Sequence, residues 1–581
     1  MGSDGFLNSP EFDVLIIGAG LSGICSLHHI RERFPSWRVK VLEAATDVGG
    51  TWYWNRYPGA RFDSESVSYG FSWDKDLLEE WHWKEAFSPQ PETLRYIQHV
   101  AQKHDLYRDI QFNTRIASAT WHDEDNKHFW TFTDTTGTQY RTTFFVSCLG
   151  FLSSATLPKI PGIENFAGQA FHTSNWPQGF DLSQLKDKNV GIIGTGATGI
   201  QAITELAKSP LKCLTVFQRT ANWSAPLRNT KITDIEMSRI REGYDSVFQQ
   251  CSKTPMGFLH QADPRKSAEV TETERIELWN KLYALPGFGK WLGVFRDTYT
   301  DREANRLYSE FMAQKIRERV SDPSTADGLV PKNHGFGLRR VPLESGYFEA
   351  FNQPNVHLVN LQKTPINSIS RTGIKTLDGK SHELDVLVFA TGFDAITGAF
   401  REIQWSVRGK RPLLGSSTAT TKPGEDAIWI DHQPKTFLGL TVPSCPNMFM
   451  VLGPHQPFGN ATRSIEHAVN VISDLLQHCK DNKYTYVEPT NAAVQEWTEH
   501  VVDCSKGLLS NEIDSWMTGV NENVPGKATR SVARYAGSAI EYRRRCEECQ
   551  LEGWKGLIFR RDDSMSNTTR IPHSDMAQSR L

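Results

Sequence analysis

The chain has no run of about 18 consecutive apolar residues, so its sequence holds no candidate membrane-crossing helix. It also lacks a dominant charge: 64 Lys+Arg stand against 67 Asp+Glu, a net charge of −3. That balance excludes a polybasic nucleic-acid binder and an acidic tail protein. Cysteine is sparse and odd in number, with nine scattered over 581 residues. Residues 1–10 carry no apolar stretch, so a secreted disulfide scaffold is not expected. Cys546 and Cys549 make one Cys-x-x-Cys without a second half, and no metal site is expected there. Met1-Gly2 opens like a myristoylation signal, but Phe6 stands where Ser or Thr is needed.

What is present is ordinary globular material, 39% apolar and 23% charged, which excludes wholesale disorder. At roughly 150 residues per domain the length admits about four domain-sized units. The 17 tryptophans are expected mostly in core positions.

Residues 12–17 (FDVLII) form a branched apolar run ending at glycine, the pattern of a buried parallel strand. A helix is expected over 21–34 and a second strand over 37–42, a β-α-β opening. Residues 44–88 are rich in Trp, Tyr, Gly and Pro and are expected to wrap a ligand. Residues 91–104 read as a helix, and 110–147 as antiparallel strands. The prolines of 157–162 mark a linker. Strand–glycine–helix grammar then returns at 190–199, with the next strand at 214–217. Residues 223–332 lack that grammar and read as a charged helical insertion. Strands resume near Val356 and at 385–390, and the polar residues from 562 onward are expected to form a mobile tail.

Two glycine-rich turns carry the chemistry. Gly18-Ala19-Gly20-Leu21-Ser22-Gly23 follows a strand and opens a helix. Glycines there let backbone approach a pyrophosphate, and the helix N-terminus supplies amide donors. Glu43, twenty residues past Gly23, stands where a carboxylate binds ribose hydroxyls. The second turn, Gly194-Thr195-Gly196-Ala197-Thr198-Gly199, has Arg219 at the same offset. A guanidinium pairs with a 2′-phosphate that a carboxylate would repel, so this site should prefer NADPH to NADH. The two turns together suggest FAD in the first site and NADPH in the second. Ala390-Thr391-Gly392-Phe393-Asp394 fits the chain returning to the first domain.

Between the two turns lies Phe166-Ala167-Gly168-Gln169-Ala170-Phe171-His172-Thr173-Ser174-Asn175-Trp176-Pro177. This F-x-G-x-x-x-H-x-x-x-W-P resembles the fingerprint of the type I Baeyer–Villiger monooxygenases. These FAD- and NADPH-dependent enzymes insert one oxygen atom of O2 beside a ketone carbonyl, through a peroxide at flavin C4a, giving an ester or lactone. The resemblance spans roughly residues 10–560. Residues 49–63 (GGTWYWNRYPGARFD) resemble the family's flavin-wrapping segment, Gly337-Leu338-Arg339-Arg340 its G-x-[KR]-R segment, and Ser515-Trp516 with Val524-Pro525-Gly526-Lys527 its late lid. The loop at 519–523 is longer than in many relatives, and loop 453–459 departs from their pattern.

The resemblance implies roles. Arg340 is the active-site arginine and Asp63 its paired carboxylate. Gly18, Gly20, Ser22, Gly23, Glu43, Gly50, Thr51, Trp52, Trp54, Arg61, Asp63 and Tyr69 are implied on the flavin side. Thr195, Gly196, Ala197, Thr198, Gly199, Gln201, Gln218, Arg219, Thr220, Arg339 and Trp516 are implied on the NADPH side. His172 and Trp176 are expected in a linker that couples domain motion. The expected fold is α/β, with two dinucleotide-binding, Rossmann-like domains and a helical insertion in the second. Residues 10–150 and 391–560 are assigned to the FAD domain, 151–222 and 333–390 to the NADP domain, 223–332 to the insertion and 562–581 to the tail.

The rival readings differ in chemistry. A disulfide reductase would need a redox cysteine pair beside the flavin, and residues 44–63 contain no cysteine. A flavin-dependent N- or S-oxygenating monooxygenase shares the fold, but its fingerprint carries Tyr or Phe where Trp176 stands. The expected partners are a small ketone and O2, with no nucleic acid and no membrane span; the sequence sets no oligomeric state. The terminal Ser579-Arg580-Leu581 resembles a peroxisomal address, so a cytoplasmic or a peroxisomal location is expected.

Overall fold

A computed structural model describes residues 10–123, 128–408, 412–415 and 427–561 of the chain. The tail from 562, with its terminal tripeptide, lies outside the described residues. Val14, Leu15 and Ile16 of β1 (Phe12–Ile17) are fully buried on both faces, as a central parallel strand requires. β1 pairs in parallel with β2 (Val39–Leu42) on one side and β6 (Gln139–Ser147) on the other. Helix α1 (Leu21–Arg33) crosses between β1 and β2. Its Ile24 and Leu27 are buried against α7 (Ala461–Asn482). Each such side chain contributes about 1.5–3 kcal/mol when fully buried. Strand β2 starts at Val39 rather than at 37. Trp37 belongs to the preceding turn, its N–H donating to Phe34 O at 2.9 Å and its ring stacked 4.3 Å from Phe34.

Helix α2 (Gln90–Lys103) leads to β3 (Ile110–Gln111), which extends the sheet beyond β2, while β5 (Phe129–Asp134) runs antiparallel to both β4 (Ile116–His122) and β6. The chain returns to this sheet late: β12 (Cys445–Met450) lies parallel to β6, and Gln404–Ser406 lies parallel to β4. Residues 44–88 are less irregular than expected and hold three short helices, Thr51–Trp54, Ser66–Tyr69 and Lys75–Glu80.

The second sheet is wholly parallel. Its order is β10 (Val356–Asn360), β9 (Cys213–Gln218), β8 (Asn189–Ile193), β11 (Val386–Phe389) and β7 (Gln169–His172). Helix α3 (Ala197–Leu206) connects β8 to β9. Here the expectation of a linker for the fingerprint is corrected. Gln169–His172 is the edge strand β7, in register with Val386–Phe389. Gly168 starts it because a Cβ there would be driven into the Asp385 carbonyl oxygen. Trp176 is 3% exposed and packs edge-on to Phe171 at 4.6 Å. The fingerprint is therefore a packed edge of the second sheet.

Between β9 and β10 stand α4 (Asp234–Ser252), α5 (Glu272–Ala284) and α6 (Arg302–Arg317). Thr233 with Glu236 and Thr271 with Glu274 make complete capping boxes, which explains why these polar stretches start helices where they do. No described helix is long and apolar enough to cross a membrane.

Candidate active site

The two sheets end in the same turn, built twice. Gly18 closes β1 with φ +104°, and a Cβ on it would be driven into the carbonyl oxygen of Cys148. Gly194 closes β8 with φ +110° and faces the carbonyl oxygen of Ala390 in the same way. Only glycine fits both the backbone angle and the contact. Gly23 and Gly199 lie one helical turn on, against the carbonyls of Gly18 and Gly194. Neither is among the cavity-lining residues, and both let helix and strand approach closely.

Gly20 and Gly196 are the N-cap residues of α1 and α3, and no side chain caps either helix. The first-turn N–H groups of both helices are thus available to an anionic ligand. Both turns open into one cavity of about 1710 Å³. Ordinary small-molecule pockets measure about 300–1,000 Å³, so this one has room for more than a single ligand. Its wall includes Gly18, Gly20, Ser22, Glu43, Gly50, Thr51, Trp52, Trp54, Arg61 and Tyr69 from the first half. Thr195, Gly196, Ala197, Thr198, Gln201, Arg219, Thr220, Arg339, Arg340 and Trp516 line it from the second half and the lid.

Glu43 is 5% exposed, and its carboxylate accepts from Ala19 N–H at 2.5 Å and Ala45 N–H at 2.7 Å. Burial raises its pKa from the ordinary carboxylate value, and those amide bonds oppose the rise. Each oxygen keeps a lone pair for a ribose hydroxyl. Trp52 donates through Nε1 to Tyr69 OH at 3.0 Å, and Phe62 stacks on Tyr69 at 4.2 Å, giving a stiff aromatic wall.

Arg340 donates to Asp63 Oδ2 at 2.8 Å, although 277 residues separate them in sequence. Leu343 N–H reaches the same oxygen at 3.2 Å. The Asp63 side chain is 1% exposed and does not line the cavity, whereas that of Arg340 is 32% exposed and does. Asp63 thus stands against the arginine on its buried side.

At the second turn, Thr195 Oγ1 donates to Thr220 O at 3.0 Å. Arg339 donates to Asp514 O at 2.8 Å, and its pKa is lowered by burial and then by the charge of Arg219. Two guanidinium groups facing one region favour an anion between them. Arg219 itself is 69% exposed and pairs with Glu522 of the long lid loop at 3.0 Å. Glu522 was not anticipated, because nothing local in the sequence links it to Arg219. Gln201 lines the cavity, and its amide ties helix α3 to the segment 57–61. Its Oε1 accepts from Tyr57 OH at 2.7 Å, and its Nε2 donates to Arg61 O at 3.1 Å. Gln218 is 2% exposed and is not among the cavity-lining residues; it donates to Gly328 O at 2.7 Å. It ends β9 on the side facing the insertion, so its side chain is spent on packing.

His172 lies at the end of β7, 8% exposed, with Nδ1 2.8 Å from Ser174 Oγ and its ring edge-on to Phe393 at 5.6 Å. It joins the fingerprint to the returning segment 390–394. The lid is anchored by Lys527, which forms an ion pair with buried Asp394 and donates to Ala395 O at 3.0 Å.

A family model described as "FMO-like: Flavin-binding monooxygenase-like" matches residues 12–231. The chain is 38% identical over 559 residues to 2-oxo-Delta(3)-4,5,5-trimethylcyclopentenylacetyl-CoA monooxygenase of Pseudomonas putida, covering 94% of this chain and 98% of that protein. It is 37% identical to cyclohexanone 1,2-monooxygenase of Acinetobacter sp over 94% of this chain and 96% of that one. A crystal structure of OTEMO with FAD and NADP matches at TM-score 0.87 and 37% identity, covering 95% of this chain and 100% of that one. The chain belongs to the type I Baeyer–Villiger monooxygenases. As a member of that family the monooxygenase uses FAD, NADPH and O2 to convert a ketone to an ester or lactone. The uncapped helix ends and glycine turns fit two dinucleotides: the carboxylate of Glu43 suits FAD in the first site, and the guanidinium of Arg219 suits NADP(H) in the second.

Proposed function

We propose that Arg340 is the catalytic cation of this monooxygenase and Asp63 the residue that positions it. The observation that carries this is the 2.8 Å pair of a buried carboxylate with a guanidinium that lines the cavity both cradles open into. Bound FAD, reduced by NADPH, supplies the oxygen activation. The protein's part is to hold charge and exclude water. Arginine stays protonated at any working pH, so it offers a fixed positive charge where negative charge develops on oxygen. Asp63 fixes the plane of that charge by accepting from the fork on its buried side. Glu43 fits the ribose hydroxyls on the flavin side, and Arg219, Thr220 and Arg339 fit the 2′-phosphate on the other. Trp516 sits on a lid turn capped by Ser515, with Met517 N–H donating to Ser515 Oγ at 3.2 Å. A lid closed over both cofactors keeps water from the reacting atoms.

Two domains follow from this reading, residues 10–150 with 391–560 around FAD and 151–222 with 333–390 around NADP, the insertion 223–332 walling the cavity. Acid precipitation should release flavin into the supernatant, because no residue is assigned a covalent link to it. Purified enzyme given NADPH and a panel of ketones should yield ester or lactone. Oxygenated amines or sulfides without any ester or lactone would overturn the reading. For location, Ser579-Arg580-Leu581 supports a peroxisomal destination, with the cytoplasm as the other. A reporter carrying that tail should be punctate and turn diffuse when Leu581 is removed.

A further inference from the structure

Arg219, Arg339 and Arg340 share the cavity wall with a further arginine on a different element. Arg534 lies in residues 532–535, a stretch hung on loop 453–459. His455 N–H donates to Ala533 O at 2.9 Å, His455 Nε2 lies 3.0 Å from Val532 O, and Tyr535 N–H donates to Gln456 O at 3.3 Å. Ala533 packs with Ala395 and Ile396 beside Leu152, Phe458 and Trp516. This wall is apolar, and among the described residues Arg534 shares no hydrogen bond or ion pair with Arg219, Arg339 or the segment that holds them.

Arg534 is only partly exposed and lines the cavity. Among the described residues no carboxylate pairs with it and no acceptor takes its hydrogen bonds, and burial alone holds its pKa below the usual arginine range. Its neighbours behave otherwise. Arg530 pairs with Asp514 at 2.6 Å, and Arg401 with Asp394 at 3.2 Å. A half-buried guanidinium without a counter-charge is costly, and an oxyanion that enters beside it regains both charge and fork geometry.

We infer that the preferred substrate is a ketone that also carries an oxyanion, a carboxylate or a phosphate, seated on Arg534. Its carbon frame lies along Leu152 and Phe458, with its carbonyl toward Arg340. This inference rests on the ketone-oxygenating reading of the same cavity, and adds the anion as the specificity element.

The test uses the FAD-loaded enzyme. Without NADPH, calorimetry should show cyclohexylacetate binding at least about tenfold tighter than cyclohexylacetamide, the size of a lost charge-assisted bond. In turnover, kcat/KM for oxocyclohexylacetate should exceed that for its methyl ester by a similar factor. Oxocyclohexylethyl phosphate is the second arm: whichever anion gives the larger ratio names the source. In R534Q the acid-to-ester ratio should fall to near one, and R534K should restore part of it, with flavin content and melting temperature reporting that both variants fold. A ratio near one in the wild-type enzyme, or an unchanged ratio in R534Q, overturns the inference while ester or lactone formation from neutral ketones leaves the reaction reading intact. If no ketone yields ester or lactone but carboxylate binding still depends on Arg534, the reaction reading falls and the anion site stands.

Discussion

Arg340 and Arg219 are both cavity guanidiniums, yet their surroundings give them different duties. Arg340 is paired with a buried carboxylate and lines the cavity shared by the two cradles. Arg340→Ala should keep its flavin and still consume NADPH, but release hydrogen peroxide in place of ester or lactone, because no fixed cation remains to stabilise negative oxygen. Product yield at the wild-type level in that variant would remove Arg340 from the chemistry. Arg219 is mostly exposed and held by Glu522 at 3.0 Å. Arg219→Ala should raise KM for NADPH and leave that for NADH nearly unchanged. Bonds to charged groups are worth about 1.5–3 kcal/mol, and exposure puts this one at the low end, about tenfold. Glu522→Gln removes the competing carboxylate, so KM for NADPH should fall by up to about fivefold, the ceiling for an exposed ion pair. Equal changes toward NADPH and NADH in either variant would contradict the assignment.

At the scale of elements, the two turns make a natural control for each other. Gly18 and Gly194 have φ near +104° and +110°, and each faces a carbonyl at Cβ position. Alanine at either site meets backbone strain of about 1–3 kcal/mol as well as the contact. Gly18→Ala should therefore yield protein with little bound flavin, read from its visible absorbance. Gly194→Ala should stay yellow and lose affinity for NADPH. A colourless Gly194→Ala protein would mean that the cradles are not separable. These turns were legible in the sequence because glycine spacing and the acid or arginine twenty residues on are local features. The strand β7 was not. Its residues alternate weakly, and only pairing with Val386–Phe389, more than 200 positions away, makes them a strand. The burial of Gln218 was not legible for a related reason, since which face of a strand end is covered depends on what packs against it.

For the whole molecule, buried histidines tie stability to pH. His172, His432, His455 and His467 are held down to about 4, in each case chiefly by burial. His455 is 1% exposed, with Nδ1 3.0 Å from Thr436 Oγ1 and Nε2 3.0 Å from Val532 O. A histidine whose pKa is lowered on folding is protonated more readily in the unfolded chain. Its stabilisation is complete above about 6.5 and is lost as pH falls toward 4. The melting temperature should hold from pH 8 to near 6.5 and then drop steadily, and a flat profile across that window would contradict these positions. His455 also carries residues 532–535, so acid should loosen the Arg534 wall along with the global fold.

The sequence by itself determined the two glycine cradles, the FAD and NADPH pair and the family, because each depends on residue types at short, fixed spacings. It also carried Arg340 and Asp63, though only through resemblance, since a separation of 277 positions puts their pairing beyond any local rule. The tertiary structure alone decided which residues reach the ligand space. It set Asp63, Gly23, Gly199 and Gln218 behind the wall and Arg534 on it. Contact with a cavity depends on how distant segments pack around each side chain, and spacing along the chain carries no record of that packing.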